Sequence, residues 1–180
     1  MSRLAQFEHR VLPHLDAAYN LARWLTRNDH DAEDVVQEAF LRAFRFFDAL
    51  KDPDARPWLL AIVRNTGYSW LEKNRPAEIV PIDDAATLPA DTVTAGHAVP
   101  VETNPEVILL QSDNRKLVNQ ALEDLPVGFR EVLVMRELED LSYKEIARIA
   151  GIPIGTVMSR LSRGRELLRH AIEVRLKRAS

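Results

Sequence analysis

The chain has 180 residues, of which 46% are hydrophobic and 28% charged, enough apolar material for one large domain or two small ones. It contains no cysteine, and its five histidines (His9, His14, His30, His97, His170) lack metal-ligand spacing, so disulfides and thiolate metal sites are excluded and no metal or cofactor is expected. The net charge of −3 is unevenly spread: residues 1–75 are neutral overall, residues 76–114 carry seven acids and no Lys or Arg, and from Leu141 onward nine basic side chains face three acids.

No stretch is long and apolar enough for a membrane span, and MSRLAQFEHR is no secretory signal, so a cytoplasmic protein without membrane insertion is expected. In chain order, Phe7, Val11, His14, Leu15, Ala18, Leu21, Ala22 and Leu25 repeat at helical spacing. Arg27 to His30 interrupts the pattern, and Asp31, with Asp34 three residues on, reads as the next N-cap. The following helix places Val35, Val36, Ala39, Phe40, Ala43, Phe44 and Phe47 on one face. A polar loop from Lys51 to Arg56 leads to a third helix, from Pro57 to about Lys73. Gly67 within it is expected to weaken the helix by roughly 1 kcal/mol relative to Ala.

Five of the ten prolines (Pro76, Pro81, Pro89, Pro100, Pro105) follow, and no long helix runs through such a segment. The expected organisation is therefore all-α. Two small helical domains, residues 1–75 and 110–180, are joined by a flexible, acidic, Pro-rich linker at 76–109. Asn104-Pro105-Glu106 reads as a helix start, continued by Leu109, Val118, Ala121 and Leu122 and ended by Leu125-Pro126. A short helix is expected around Phe129 to Leu138.

Residues 141–169, LSYKEIARIAGIPIGTVMSRLSRGRELLR, carry the most specific pattern. Ser142 and Glu145 form an S-x-x-E capping box, Ile146, Ala147, Ile149 and Ala150 supply a buried face, and Gly151 suits a left-handed helix end. A second helix begins near Thr156, with Val157, Leu161, Leu167 and Leu168 turned inward. Its other face carries Met158, Ser159, Ser162, Arg163 and Arg165, short polar groups followed by Arg able to reach guanine edges or phosphates. The pattern is a helix-turn-helix, against the plainer reading of a helical hairpin with a solvated basic face.

From Leu125, LPVGFREVLVMRELEDLSYKEIARIAGIPIGTVMSRLSRGRELL resembles the fourth region of sigma factors, which binds the −35 promoter element. The resemblance implies DNA-facing roles for Met158, Ser159, Ser162, Arg163 and Arg165, with Arg136, Tyr143 and Lys144 supporting the DNA backbone. Many relatives have a basic residue where Met158 stands, so a different −35 preference is expected there. DAEDVVQEAFLRAFRFF resembles the polymerase-docking helix of the second sigma region, which implies that Asp34, Gln37 and Glu38 meet the large polymerase subunit. RPWLLAIVRNTGYSWLEKNR resembles the segment that melts and reads the −10 element. Asn65 both donates and accepts and so suits a splayed-out base, while Arg64, Tyr68 and Lys73 suit single-strand binding by charge and stacking.

The two motif sets, in order and without further domains, resemble the extracytoplasmic-function sigma factors. The resemblance implies core RNA polymerase and promoter DNA as partners, control by an anti-sigma factor, and no enzymatic activity. The linker acids, Glu78, Asp83, Asp84, Asp91, Glu102 and Glu106, fit either an RNA-mimicking segment in the polymerase channel or plain solvation. The alternative function is a helix-turn-helix regulator acting as a dimer without core polymerase. An enzyme is disfavoured because the Asp29, Asp31, Asp34 cluster sits at a helix start, where capping explains it.

Overall fold

In the computed structural model, the backbone is described for residues 1–84 and 105–180, and the side chains for 1–84 and 113–180. Among the described residues all regular structure is helical. Asp91 and Glu102 lie outside the described residues, as do the side chains of Glu106 and Leu109.

The first run of apolar residues forms two helices rather than one: α1 (Arg3–Val11) and α2 (Leu15–Thr26), separated by a 3-10 turn at Leu12–His14. Pro13 explains the break, because it lacks the amide that a continuous helix would use. Helix α2 ends with Arg27 in the left-handed conformation (φ 58°). Helix α3 (Asp29–Arg45) starts three residues earlier than expected, since Asn28, not Asp31, is its cap: the Asn28 side chain accepts from the Asp31 amide. Helix α4 (Ala55–Asn74) is capped by Asp54.

Helices α2, α3 and α4 pack around Leu21, Leu25, Val35, Ala39, Leu59, Leu60, Val63 and Leu71, all essentially inaccessible to solvent. Phe7 of α1 closes one end, edge-on to Phe40, Phe44 and Phe47 with ring centroids 5.2–6.3 Å apart. Gly67 has a packing role that periodicity does not reveal. A Cβ there would stand 2.8 Å from Leu25 Cδ1, so the missing side chain lets α4 approach α2.

Helix α5 (Pro105–Glu123) opens the second bundle, beginning at the Asn104-Pro105-Glu106 helix start that the sequence marks. Helix α6 (Val127–Leu133) runs into one π-helical turn at Val134–Leu138. Every residue from Val127 to Met135 is buried. Helix α7 (Tyr143–Ala150) has the complete capping box of Ser142 and Glu145 and ends on Gly151 at φ 68°, a conformation glycine adopts without steric cost. Helix α8 (Ile154–Ala179) buries Val157, Leu161 and Gly164 against α6 and α7. Leu167, expected inside, is exposed, while Leu168 one position on packs against the core.

The two bundles touch. Helix α4 lies against α7, and α2 against α6. Arg130 is buried in that seam, its guanidinium donating to the carbonyls of Glu123, Leu125 and, across the seam, Leu25. One side chain thereby satisfies carbonyls left open at the ends of α5 and α2. Burial, together with the nearby Arg27 charge, brings its pKa down to about 10.

Candidate nucleic-acid and polymerase interfaces

Helix α3 buries Val35, Val36, Ala39 and Ala43, which leaves its opposite face to solvent. Asp34, Gln37 and Glu38 all lie on that exposed face. Leu41 extends the same stripe by one turn and is 72% exposed, although sequence periodicity did not single it out. Phe40, Phe44 and Leu4 flank Leu41 and Gln37 around a shallow apolar groove. Glu38 accepts from Arg42 at 2.6 Å, an i,i+4 pair on the surface. An acidic and amide row beside an open apolar groove suits a helical partner with a basic stripe.

The four residues expected at the −10 element do not share one open face. Asn65 and Lys73 face solvent. Arg64 and Tyr68 turn into the seam between the bundles and meet Glu131 of α6. The Glu131 carboxylate accepts from Arg64 Nε at 3.0 Å, Arg64 Nη2 at 3.1 Å and the Tyr68 hydroxyl at 2.8 Å. Glu131 is fully buried, and a bidentate guanidinium and a phenol take the place of its water. The Arg64 guanidinium also stacks 3.9 Å from the Tyr68 ring centroid. Burial alone would lower the Arg64 pKa, but the Glu131 carboxylate outweighs it and raises it. Burial and the same carboxylate push the Tyr68 phenol well above its ordinary value.

On the helix-turn-helix, Met158 is open at the start of α8 and Lys144 is exposed on α7. Ser159 bonds back to the Thr156 carbonyl at 3.1 Å, and Ser162 is half-buried. Arg136 donates to the Leu141 carbonyl at 3.0 Å and stacks 4.7 Å from the Tyr143 ring, so this pair braces the entrance to α7. Arg165 pairs with Glu137 at 2.9 Å. Arg163 donates to the Asp83 carbonyl at 2.7 Å and lies 5.1 Å from the Phe129 ring. Arg160, which sequence reasoning passed over, makes a bidentate pair with Asp84, both bonds 3.0 Å. It lies one turn from Arg163 on the same face of α8, so the basic stripe of that helix includes it. The partner hydrogen bonds hold the Asp84 carboxyl below the usual carboxylate range and raise the Arg160 guanidinium.

Among the described residues no group of His, Asp or Glu is placed to hold a metal ion, and no helix is long and apolar enough to cross a membrane. The family model for Sigma-70 region 2 matches residues 11–76, and that for Sigma-70, region 4 matches residues 115–168. The ECF RNA polymerase sigma-E factor of Escherichia coli (strain K12) is 36% identical over 151 residues, 82% of this chain and 77% of that protein.

The chain belongs to the ECF sigma factors of RNA polymerase. These are transcription initiation factors, not enzymes: they bind core polymerase and direct it to promoters. The sigma-E factor of Haemophilus influenzae is 35% identical over 157 residues, 85% of this chain and 79% of that one. The sigma factor RpoE of Bartonella quintana, solved in complex with the anti-sigma factor NepR, superposes with a TM-score of 0.67 at 26% identity, covering 94% of this chain and 98% of that one. CnrH, solved with the cytosolic domain of CnrY, shares the fold at a TM-score of 0.63 and 24% identity, covering 95% of this chain and 90% of that one. The matches span both halves of this sigma factor, which the alternative of a stand-alone helix-turn-helix regulator does not account for.

Proposed function

We propose that this ECF sigma factor docks core RNA polymerase through the exposed α3 row of Asp34, Gln37 and Glu38, with Leu41 in the adjoining groove. Residues 1–75 open and read the −10 element, with Asn65 contacting a base and Arg64, Tyr68 and Lys73 holding the strand. Residues 110–180 read the −35 element through Met158, Ser159, Ser162, Arg163 and Arg165 of α8, supported by Arg136, Tyr143 and Lys144. An anti-sigma factor controls the protein, as the solved complexes of its structural neighbours suggest, and it acts in the cytoplasm. The observation that carries this reading is the presence on one chain of a polar row beside an open apolar groove and a helix-turn-helix whose second helix presents Arg.

Each module alone gives a weak contact, and tethering them on one polymerase raises the effective concentration of the second. The test is competition for core polymerase, then transcription from a cognate promoter. Replacing Asp34, Gln37 and Glu38 together by Lys is expected to abolish binding to core. Arg163→Ala is expected to leave core binding intact and to weaken its promoter by about 1–3 kcal/mol. Unchanged core binding by the triple variant would overturn the docking assignment. Equal loss with Arg163→Ala at every sequence would reassign that residue to a phosphate.

A further inference from the structure

Two carboxylates of the chain itself hold arginines on the two faces assigned above to nucleic acid: Glu131 on Arg64, and Asp84 on Arg160, one turn from Arg163. On the −10 side, Glu131 takes both donor positions of Arg64 and the hydroxyl of Tyr68. On the −35 side, the segment after α4 folds back along α8. Asp84 takes both donor positions of Arg160, and the Asp83 backbone carbonyl takes Arg163. This segment is seated by more than charge. Ile79 packs against the core, and the tip of the Ile82 side chain lies where a Cβ on Gly128 would stand, so the glycine in α6 gives it room. A bidentate carboxylate on a guanidinium has the geometry of a bidentate phosphate. Further ties cross the same seam: Arg56–Glu139 at 3.0 Å, Arg148–Asp52 at 3.2 Å and the Arg130–Leu25 bond.

We propose that the free protein is self-masked: Glu131 and Asp84 act as phosphate surrogates that, with the Asp83 carbonyl on Arg163, close the two modules over arginines of their own DNA-reading faces, and engagement of polymerase and promoter replaces these contacts with DNA. The proposal rests on the DNA-reading assignment of α4 and α8 given above. It differs from weak binding by low net charge, because it ties the weakness to two named contacts and to one closed arrangement. The Asp84–Arg160 pair is partly solvated and opens readily. Glu131 is fully buried, so its pair opens only when the seam itself parts. Release is therefore expected in two stages, −35 side first.

The absence of cysteine permits site-specific labelling of the full chain. Donor and acceptor dyes on His9→Cys in α1 and Lys177→Cys in α8 report closure by energy transfer. Anisotropy of a fluorescein-labelled promoter duplex, selected by transcription with the holoenzyme, reports DNA binding by the free factor. The variant Glu131→Gln with Asp84→Asn is expected to lose energy transfer. It should bind the duplex about tenfold more tightly if the competent form is about a tenth of the wild-type population. Glu8→Gln, the same one-unit charge change as Asp84→Asn made at an exposed site away from both contacts, should stay within about twofold of wild type. Asp84→Asn alone, at a partly exposed side chain, should raise duplex affinity by a smaller factor and keep energy transfer high, and it keeps the test open should Glu131→Gln not fold. Energy transfer unchanged in the double variant would overturn the latch. Loss of energy transfer without a gain in DNA binding, or a gain matched by Glu8→Gln, would overturn the masking. The DNA-reading assignment is tested apart from this: if Arg64→Ala and Arg163→Ala transcribe like wild type with core polymerase, that assignment fails whatever the fluorescence shows.

Discussion

Gly67 gives the sharpest contrast between local propensity and packing. In a helix interior, Gly→Ala is worth about 1 kcal/mol of added stability. In this fold the new methyl would stand 2.8 Å from Leu25 Cδ1 and 3.7 Å from Leu25 Cβ, so the fully buried Leu25 side chain would have to shift within the packed core. Overpacking of this kind costs about 1–3 kcal/mol. The net expectation for Gly67→Ala is a loss of about 0–2 kcal/mol, with its sign opposite to the propensity argument. Urea unfolding followed by circular dichroism measures it, with the m-value checking that the unfolded reference is unchanged. Leu25→Ala should by itself cost about 2–5 kcal/mol. Adding Gly67→Ala to that background should recover stability, because the methyl then enters the space left by Leu25. A full 1 kcal/mol gain from Gly67→Ala in the wild-type background, with no coupling to Leu25, would refute the close α2–α4 approach.

Tyr68→Phe should lose the 2.8 Å bond to Glu131 and alter the alkaline limb of the stability curve. The folded-state pKa of Tyr68 is raised above its ordinary value of 10.0, so its contribution is fully present below that pH and is lost as pH rises beyond it. Wild type should therefore lose more stability than Tyr68→Phe above that pH in parallel thermal melts, and equal slopes would contradict the buried phenol. Arg130→Met should destabilise by about 1–3 kcal/mol, since the carbonyls of Leu25, Glu123 and Leu125 lose a charged donor in a buried seam; an unchanged denaturation midpoint would argue against it. Asn65→Ala should reduce opening at the −10 element, read by permanganate footprinting, without weakening binding to core polymerase; loss of core binding would mark Asn65 as structural.

Local signals carried well from sequence to structure. The capping box of Ser142 and Glu145, the left-handed Gly151 and the stripe of Ile146, Ile149, Val157 and Leu161 depend on neighbours within a few residues, and all are present. Helix ends were less legible, because Asn28 and Asp31 are equally good caps on paper and only the chain path decides which amide is free. The break at Pro13 is not visible in the apolar spacing, which runs across it unchanged; the missing proline amide decides it. Contacts between the bundles left no local trace. Glu131 sits in an apolar run where an acid reads as a surface residue, and its partners lie 63 and 67 positions away. Arg64 and Tyr68 read as single-strand ligands, and nothing near them in sequence points to the carboxylate that holds them. Arg160 was missed for a related reason: the acid opposite it lies 76 positions upstream.

The central claim is that this chain confers promoter recognition on core polymerase. Run-off transcription with bacterial core polymerase on a randomised promoter library, with and without the protein, tests it most directly. The account predicts transcripts that depend on the protein and share two sequence elements at a fixed spacing, with the −35 element altered by Met158→Arg. No protein-dependent initiation, or selection of a single palindromic site bound without polymerase, would contradict it.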